Sequence, residues 1–447
     1  MVLPFLKKVA TALWGKFESK EEIKKFGLLA FIFGIIIGVY WTLRPLKDGI
    51  FGAVVGFKGY QPYAKMLSLV LIVPLLILYN KLIDKYPRQK VFYILCGTYG
   101  AIALAFYFLF SMPEIGLSNT VASPTRIIGW LWYVYVESFG SLIVALFWAF
   151  TSDITMPEAA KRGFPLIFLF GQIGNICGPL YLTAATFGFA TSAPIILILA
   201  CLMFSLVALL WVFMRVTPKS QLTGFEDVAK EEKEDKKEAG FLDGLKLLLS
   251  HKYLLGIAAI LIFFEIIVTM FDYQFKVLVM NTFSVEKDVT AYLSQYAVWT
   301  GIVSTACVLF GINNIQRKLG MAVSLVLMPI IIAFAVIVLR VSPVIGVAFW
   351  IMVVSKAINY ALGQPSLKQA YIPTSKDSKY KAQSWIEAFG GRSSKAIGSW
   401  VNTFGGASYY LMMSSVISLG ITGLWVFIAI YIAKTYNKAV KENKIIC

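Results

Sequence analysis

Residues 193–216 read APIILILACLMFSLVALLWVFMRV, twenty-four residues whose one charge, Arg215, stands at the far end. A hydrocarbon layer about 30 Å thick is crossed by about 20 apolar residues in a helix, the form that satisfies each backbone N–H and C=O without water. The run is therefore a membrane span, and the same pattern recurs along the chain. Runs bounded by charges or turn residues occupy 26–43, 66–82, 91–111, 127–151, 164–186 and 193–216, then 253–270, 289–312, 321–339, 344–362, 382–403 and 410–433. Twelve spans are predicted, each too long for the strands of a barrel, which alternate over about ten residues. Of 447 residues, 58% are hydrophobic and 15% charged. Soluble domains carry about 25% charged residues, so composition excludes an ordinary soluble enzyme, and its hydrophobicity excludes a disordered chain. The class is an all-α integral membrane protein.

Between the sixth and seventh runs, 226–240 reads EDVAKEEKEDKKEAG, a solvated segment of mixed charge. It divides the chain into an N-terminal arm (1–25), a six-helix bundle (26–216), a charged linker (217–250), a second six-helix bundle (251–434) and a tail (435–447). The net charge is +17, from 41 Lys and Arg against 24 Asp and Glu. Twenty-nine of those 41 cations fall in the arm, the linker, the tail and the loops that share their side of the membrane. Short basic loops stay in the cytoplasm, so both termini and the linker are expected there. No small-residue cleavage site follows the early lysines, so the arm reads as retained. The five cysteines show no paired spacing that suggests a disulfide framework or a metal site.

The two halves resemble one another. KRGFPLIFLFGQIGNICGP from Lys161 lies over YKAQSWIEAFGGRSSKAIGS from Tyr380, matching Phe170 with Phe389 and Gly171 with Gly390. Met156-Pro157 resembles Ile372-Pro373, and the basic loop DKYPRQK resembles NNIQRK. Together these predict a six-plus-six arrangement like the major facilitator fold, in which rocking of the halves gives alternating access.

An ionisable side chain at the centre of a spanning helix costs about 2.5 to 3.5 kcal/mol on insertion scales, so each one is a functional candidate. Lys65, Lys81 and Arg340 sit at run ends, where a long stem reaches the interface and an anchoring role suffices. Arg44 and Lys47, in YWTLRPLKDGIF, share one helical face if the helix survives Pro45 and Gly49. They contact substrate or form a structural ion pair, with Asp48 as a partner. Glu137 and Glu265 lie within apolar runs and must pair with a cation or carry a proton. Asn175, in FGQIGNICGP, faces either a pathway or a neighbouring helix. The eleventh run carries Glu387, Arg392 and Lys395 in EAFGGRSSK, and the tenth carries Lys356, with Lys368 just past a Gly363-Gln364-Pro365 break. Six cations against three carboxylates outline a site for a multivalent anion, and Arg and Lys both suit phosphate oxygens. No G-x-S-x-G, H-E-x-x-H or G-x-x-x-x-G-K-[ST] occurs. A transporter without a catalytic site, metal or cofactor is expected.

Several stretches resemble the ATP:ADP antiporters of plastids and obligate intracellular bacteria. LRPLKDGIF is similar to their L-R-D-x-K-D motif, with Pro45 in place of the first acid. ESFGSLIVALFWAFTSDIT is similar to E-x-W-G-S…F-W-G-F-A-N-x-I-T and sets Glu137 on the family's essential glutamate. EAAKRGFPLIFLFGQIGN is similar to E-A-K-R-x-Y-P-L-F-G-x-G-A-N, with Asn175 on an asparagine tied to phosphate recognition. KYKAQSWIEAFGGRSSKAIG is similar to K-x-K-A…D…R-x-G-K-S-G, with Glu387 for the aspartate and Arg392 and Lys395 retained. PSLKQAYIP departs from P-T-K-E-M-A-Y-I-P, since Lys368 falls one position late, and Glu265 sits about two residues early for V-E-V-T-W-K.

The resemblance implies ATP-for-ADP exchange, with phosphate as a further substrate. Lys47, Arg392, Lys395 and Lys368 would hold phosphates, Glu137 and Glu265 would gate or balance charge, and Asn175 would sense a phosphate. It also admits a proton-coupled nucleotide importer, and composition alone admits another organic-phosphate or anion carrier of the same fold. A membrane enzyme acting on a phosphorylated lipid lacks its nucleophile. A lipid-embedded monomer in a bacterial inner membrane or organelle envelope, with no nucleic-acid partner, completes the expectation.

Overall fold

The structure is a computed structural model and describes residues 17–222, 241–309, 313–375, 386, 390–403, 407–442 and 444–446. Its long helices are α1 (Lys20–Val54), α2 (Gln61–Lys85), α3 (Arg88–Ser111), α4 (Ile127–Asp153) and α5 (Pro157–Tyr181). A single turn, α6 (Ala184–Phe187), precedes α7 (Ala193–Val216), and α8 (Phe241–Ser250) leads into α9 (Lys252–Thr282). The chain continues through α10 (Glu286–Leu309), α11 (Asn313–Val341) and α12 (Ile345–Ile358). A π-helical turn at Asn359–Gly363 joins α12 to α13 (Gln364–Ala370), and α14 (Gly391–Val401) and α15 (Ala407–Glu442) complete the described helices.

Ten helical segments of the described residues are long and apolar enough to cross a membrane. The protein is a multi-pass integral membrane protein. The remaining two expected runs correspond to α10, whose buried positions include Thr290, Ser294, Thr300 and Ser304, and to the eleventh, most of whose first half lies outside the described residues.

Two helices extend well beyond their apolar runs. The run at 26–43 ends at Arg44, yet α1 continues without a break through Pro45 to Val54. The run at 253–270 stops short of Asp272, yet α9 continues to Thr282. Hydropathy falls at a charge, but the backbone hydrogen bonds do not depend on the side chain, so a helix passes through a charge that has found a partner. The expected break at Gly363-Gln364-Pro365 is likewise absorbed in the π turn, and the helix resumes at Gln364.

The chain forms two compact units. One holds the described parts of Met1–Phe57, Val70–Asp235 and Phe283–Val298; the other holds those of Lys58–Leu69, Lys236–Thr282 and Trp299–Cys447. Within the first, α1 packs on α4, α5 and α7, and α3 packs on α4 and α7. Within the second, α9 packs on α12, α14 and α15, and α11 packs on α12 and α15. By order of span these are the same pairings, first with fourth, fifth and sixth, and third with fourth and sixth. The internal repeat read from short matches is thus carried by the helix neighbours as well.

The first unit is drawn together by glycines. Gly34 and Gly38 of α1 face Gly174 and Gly178 of α5, and a methyl added at Gly174 would lie 2.1 Å from the Gly34 carbonyl oxygen. One added at Gly178 would lie 2.4 Å from the carbonyl oxygen of Gly38. Small residues four apart on both helices let the backbones approach, which replaces the hydrophobic driving force that lipid does not supply. Phe33 fills the flank, stacked on Phe147 at 4.8 Å and edge-on to Trp148 at 5.2 Å. At one end of this unit, buried Lys25 donates to the carbonyl oxygens of Ile154 and Gln221, and Arg162 pairs with Glu22 and Glu18, both at 2.9 Å. Arg88 binds Asp153. Cations placed by sequence in topology-setting loops therefore also tie helix ends together.

Gly174→Ala and Gly178→Ala should each destabilise by about 1–3 kcal/mol, since the added methyl meets backbone rather than a side chain that can turn away. Gly97→Ala on α3, where nothing lies within 4 Å of the added methyl, should be neutral. Thermal unfolding in detergent separates the cases; a Gly174→Ala protein melting with the wild type would contradict the close approach.

Candidate functional site

Lys47 is buried in α1, and its ammonium has three neighbours supplied by two helices. It binds Glu137 of α4, lies 3.9 Å from the Asp48 carboxylate, and sits 4.5 Å above the Tyr133 ring. Tyr133 and Glu137 are one turn apart on α4, so one face of that helix presents both the ring and the acid to the cation. Exposure is unequal: the Lys47 side chain is 8% exposed, the Glu137 side chain 37%. The carboxylate can turn toward water, whereas the lysine cannot. Arg44, one turn back, lies 4.6 Å from the Trp41 ring and 5.8 Å from that of Tyr40. Lys47, Asp48 and Glu137 thus form one ion-paired group. Of the two readings of Lys47 open in the sequence, this group is the ion pair.

Asn175 lies elsewhere, on α5 between the two glycines that touch α1. Its amide nitrogen donates to the Gln172 side chain at 3.3 Å, while its oxygen is buried without a hydrogen-bond partner. An unsatisfied buried acceptor costs about 1–3 kcal/mol, so this amide is poised to accept from a donor that is brought to it.

In the second unit, charges converge on one face of α9. Glu265 and Asp272 are seven residues apart, two turns or about 10 Å along one face, and Lys276 continues that face. Glu265 pairs with Lys395 of α14 at 3.6 Å; Asp272 binds Lys276 and accepts from Lys356 of α12 at 2.9 Å. Lys65 adds a further positive charge to the field at Asp272. The two pairs differ in character, since the Lys395 side chain is 50% exposed while Asp272, Lys276 and Lys356 are all largely buried. Arg392, half-buried, is one turn before Lys395 on α14, and Lys368 is exposed on α13. Glu387 lies outside the described residues. A separate small cleft, lined by Leu261, Phe264, Asn359, Gln364 and Trp425 among others, opens beside the π turn and includes none of these charges.

Asp272 and Lys276 were not among the residues that sequence reasoning nominated. The expected span, 253–270, stops before both. A signal was available in the spacing of the acid and lysine in V-E-V-T-W-K, which is four. FDYQFK, ending at Lys276, reproduces it with Asp272, whereas the fourth residue after Glu265 is Thr269. Adding Asp48, Asp272 and Lys276 to the charges first assembled gives seven cations against five carboxylates, an excess of two in place of three.

A family model described as TLC ATP/ADP transporter matches residues 4–437. Among curated relatives, the chain is 26% identical over 446 residues to "ADP,ATP carrier protein 1" of Rickettsia conorii, covering 88% of each. It is 25% identical to "ADP,ATP carrier protein 1" of Rickettsia prowazekii, covering 95% of this chain and 96% of that one. Among solved structures, the nucleoside transporter NupG aligns with a TM-score of 0.59 at 17% identity, over 94% of this chain and 100% of that one. The POT family transporter PepTSo aligns with a TM-score of 0.61 at 12% identity, over 94% of this chain and 98% of that one. At such identities the likeness shows the fold, which is major-facilitator-like.

Asp272→Asn would leave Lys276 and Lys356 as neighbouring buried cations, and breaking a buried pair from one side costs about 3–5 kcal/mol. The variant should melt well below the wild type, and Asp272→Asn with Lys276→Met should recover part of the loss. Equal melting of the single and wild-type proteins would contradict the ion cluster.

Proposed function

Because the chain belongs to the TLC ATP/ADP transporter family, a family of transporters rather than enzymes, we propose that it exchanges ATP for ADP across its membrane by alternating access. Nucleotide phosphates are held by Lys47 in the first unit and by Arg392, Lys395 and Lys368 in the second, and free phosphate is a further substrate. The observation that carries this reading is the Lys47–Glu137 pair, a fixed buried cation joined to a carboxylate that can swing to solvent.

In the empty carrier Glu137 neutralises Lys47, so the lysine can stay buried at modest cost. An arriving phosphate oxygen offers the same charge and geometry with stronger charge-assisted bonds, and displaces Glu137 toward water. Glu265 and Lys395 provide a looser version of the same exchange, at 3.6 Å with the lysine half-exposed. The Asp272, Lys276 and Lys356 cluster, buried on all sides of the pair, keeps α9 and α12 in register during the movement. Asn175 offers its unpaired oxygen to a hydrogen-bond donor on the nucleotide. With phosphates bound the site loses net charge, which favours a cycle in which nucleotide enters in both directions over one in which the empty carrier returns with its cations uncovered. The protein works as a monomer in a bacterial inner membrane or organelle envelope, with its termini and linker in the cytoplasm.

Proteoliposomes test the reading. Labelled ATP should enter ADP-loaded vesicles much faster than empty ones, and Lys47→Gln should raise KM for ATP at least about tenfold, the effect of losing one hydrogen bond between charged groups. Equal uptake into loaded and empty vesicles would overturn exchange, and uptake into empty vesicles that requires a proton gradient would assign the chain to proton-coupled import. Inhibition by sugar phosphates as strong as that by ATP would instead assign it to a general organic-phosphate carrier.

A further inference from the structure

Glu286, the first residue of α10, takes no part in the site described above. One of its carboxylate oxygens accepts from the Ser192 backbone N–H at 3.2 Å, at the start of α7, and the other accepts from the Thr290 hydroxyl at 2.7 Å. Thr290 is 1% exposed. It packs on Gly49 of α1 so closely that a methyl there would lie 2.1 Å from the Thr290 hydroxyl oxygen and 3.5 Å from the Glu286 carboxylate. Three helix ends, those of α1, α7 and α10, therefore meet at one carboxylate.

Its electrostatic setting is unlike that of the acids described above. Among the described residues no Lys or Arg forms an ion pair with it; the charged group acting on it is Asp288, of its own sign. Lys287, also on α10, shows no ion pair with it; on α1, Lys47 and Asp48 face each other, with Glu137 bound to Lys47; no charged residue occurs from 184 to 200. The carboxylate is held by hydrogen bonds from Thr290 and Ser192 rather than by a cation. Such bonds are roughly twice as strong to an ionised acceptor as to a neutral one, so the hold on α10 depends on the charge of Glu286.

The placement is mechanically specific. Gly49 follows Lys47 and Asp48 on the same turn of α1, and Pro45 lies one turn earlier, where it removes a backbone hydrogen bond and gives the helix a pivot. The start of α10, through Val298, belongs to the unit of α1 and α7. We propose that Gly49, Thr290 and Glu286 form a latch that holds the start of α10 against α1 and α7, and that protonation of Glu286 releases it. The proposal rests on the transporter reading, in which one end of the bundle must open during each cycle, and it adds a residue that controls that opening.

Cysteine labelling in nanodiscs tests it without measuring transport. With the native cysteines replaced by alanine, Ser192→Cys exchanges a fully buried hydroxyl for a thiol and keeps the backbone N–H that Glu286 accepts. Its maleimide labelling rate is divided by that of a separate protein bearing a cysteine at exposed Ser284, which removes the intrinsic pH dependence of thiols. The normalised rate should rise about tenfold between pH 8 and pH 5, the factor lost with one charge-assisted hydrogen bond. Glu286→Gln should show the high rate at both pH values, and Gly49→Ala, which opens the contact from α1, should do the same. A normalised rate that is low and independent of pH in the Glu286 protein overturns the latch whatever the variants do. Exchange failing in vesicles while the acid rise persists would overturn the nucleotide reading and leave the latch standing.

Discussion

A charge carried into hydrocarbon has to be neutralised by another side chain, and that requirement organises both units. Lys47 reaches Glu137 across α1 and α4, Lys356 reaches Asp272 across α12 and α9, and Lys395 reaches Glu265 across α14 and α9. Each pair joins two helices of one unit, and each permits a helix to run on where its hydropathy falls. The length of α1 and α9 beyond their apolar runs follows from this. So does the chemistry, because a cation that must be covered when the protein is empty is a cation that an anionic ligand can claim.

Pairing sets which charges stay and which exchange. Where all partners are buried, as in Asp272 with Lys276 and Lys356, separating them leaves an uncompensated ion with nowhere to go, so the cluster is a fixed joint. Where one member touches solvent, as Glu137 and Lys395 do, separation places a single charge in water, at far lower cost. The division between joint and exchangeable pair is therefore read from exposure rather than from residue type. The glycine contact between α1 and α5 gives the exchangeable pair a rigid base, since backbone against backbone has no rotamers to adjust.

The architecture was largely legible in the sequence, because apolar runs and their number depend on local composition. Twelve runs, the charged segment after Val216 and the repeat around Phe170 and Gly171 led to a six-plus-six fold, and the matching helix neighbours and solved relatives agree with a major-facilitator-like arrangement. Glu137 and Asn175 drew notice because each interrupts an apolar run, and Arg44 and Lys47 because they close one on a shared helical face. Asp272 and Lys276 were missed for the opposite reason: they stand together, so hydropathy treated them as the end of a span, and only the partner on α12 shows that they are inside one. Glu286 was invisible for a different cause. Its neighbours Ser192 and Gly49 are remote in sequence and uncharged, and no single-sequence pattern brings them together.

The exchange mechanism stands on competition between Glu137 and the nucleotide's phosphate for Lys47. Equilibrium binding of ATP to the purified carrier, compared with Glu137→Gln, measures that competition directly. Removing the carboxylate's charge while keeping its shape should tighten ATP binding, by up to about tenfold if the competition is worth about 1.4 kcal/mol. Binding that is unchanged or weaker would mean that Glu137 supports the nucleotide site instead of covering it, and the exchange mechanism would fail.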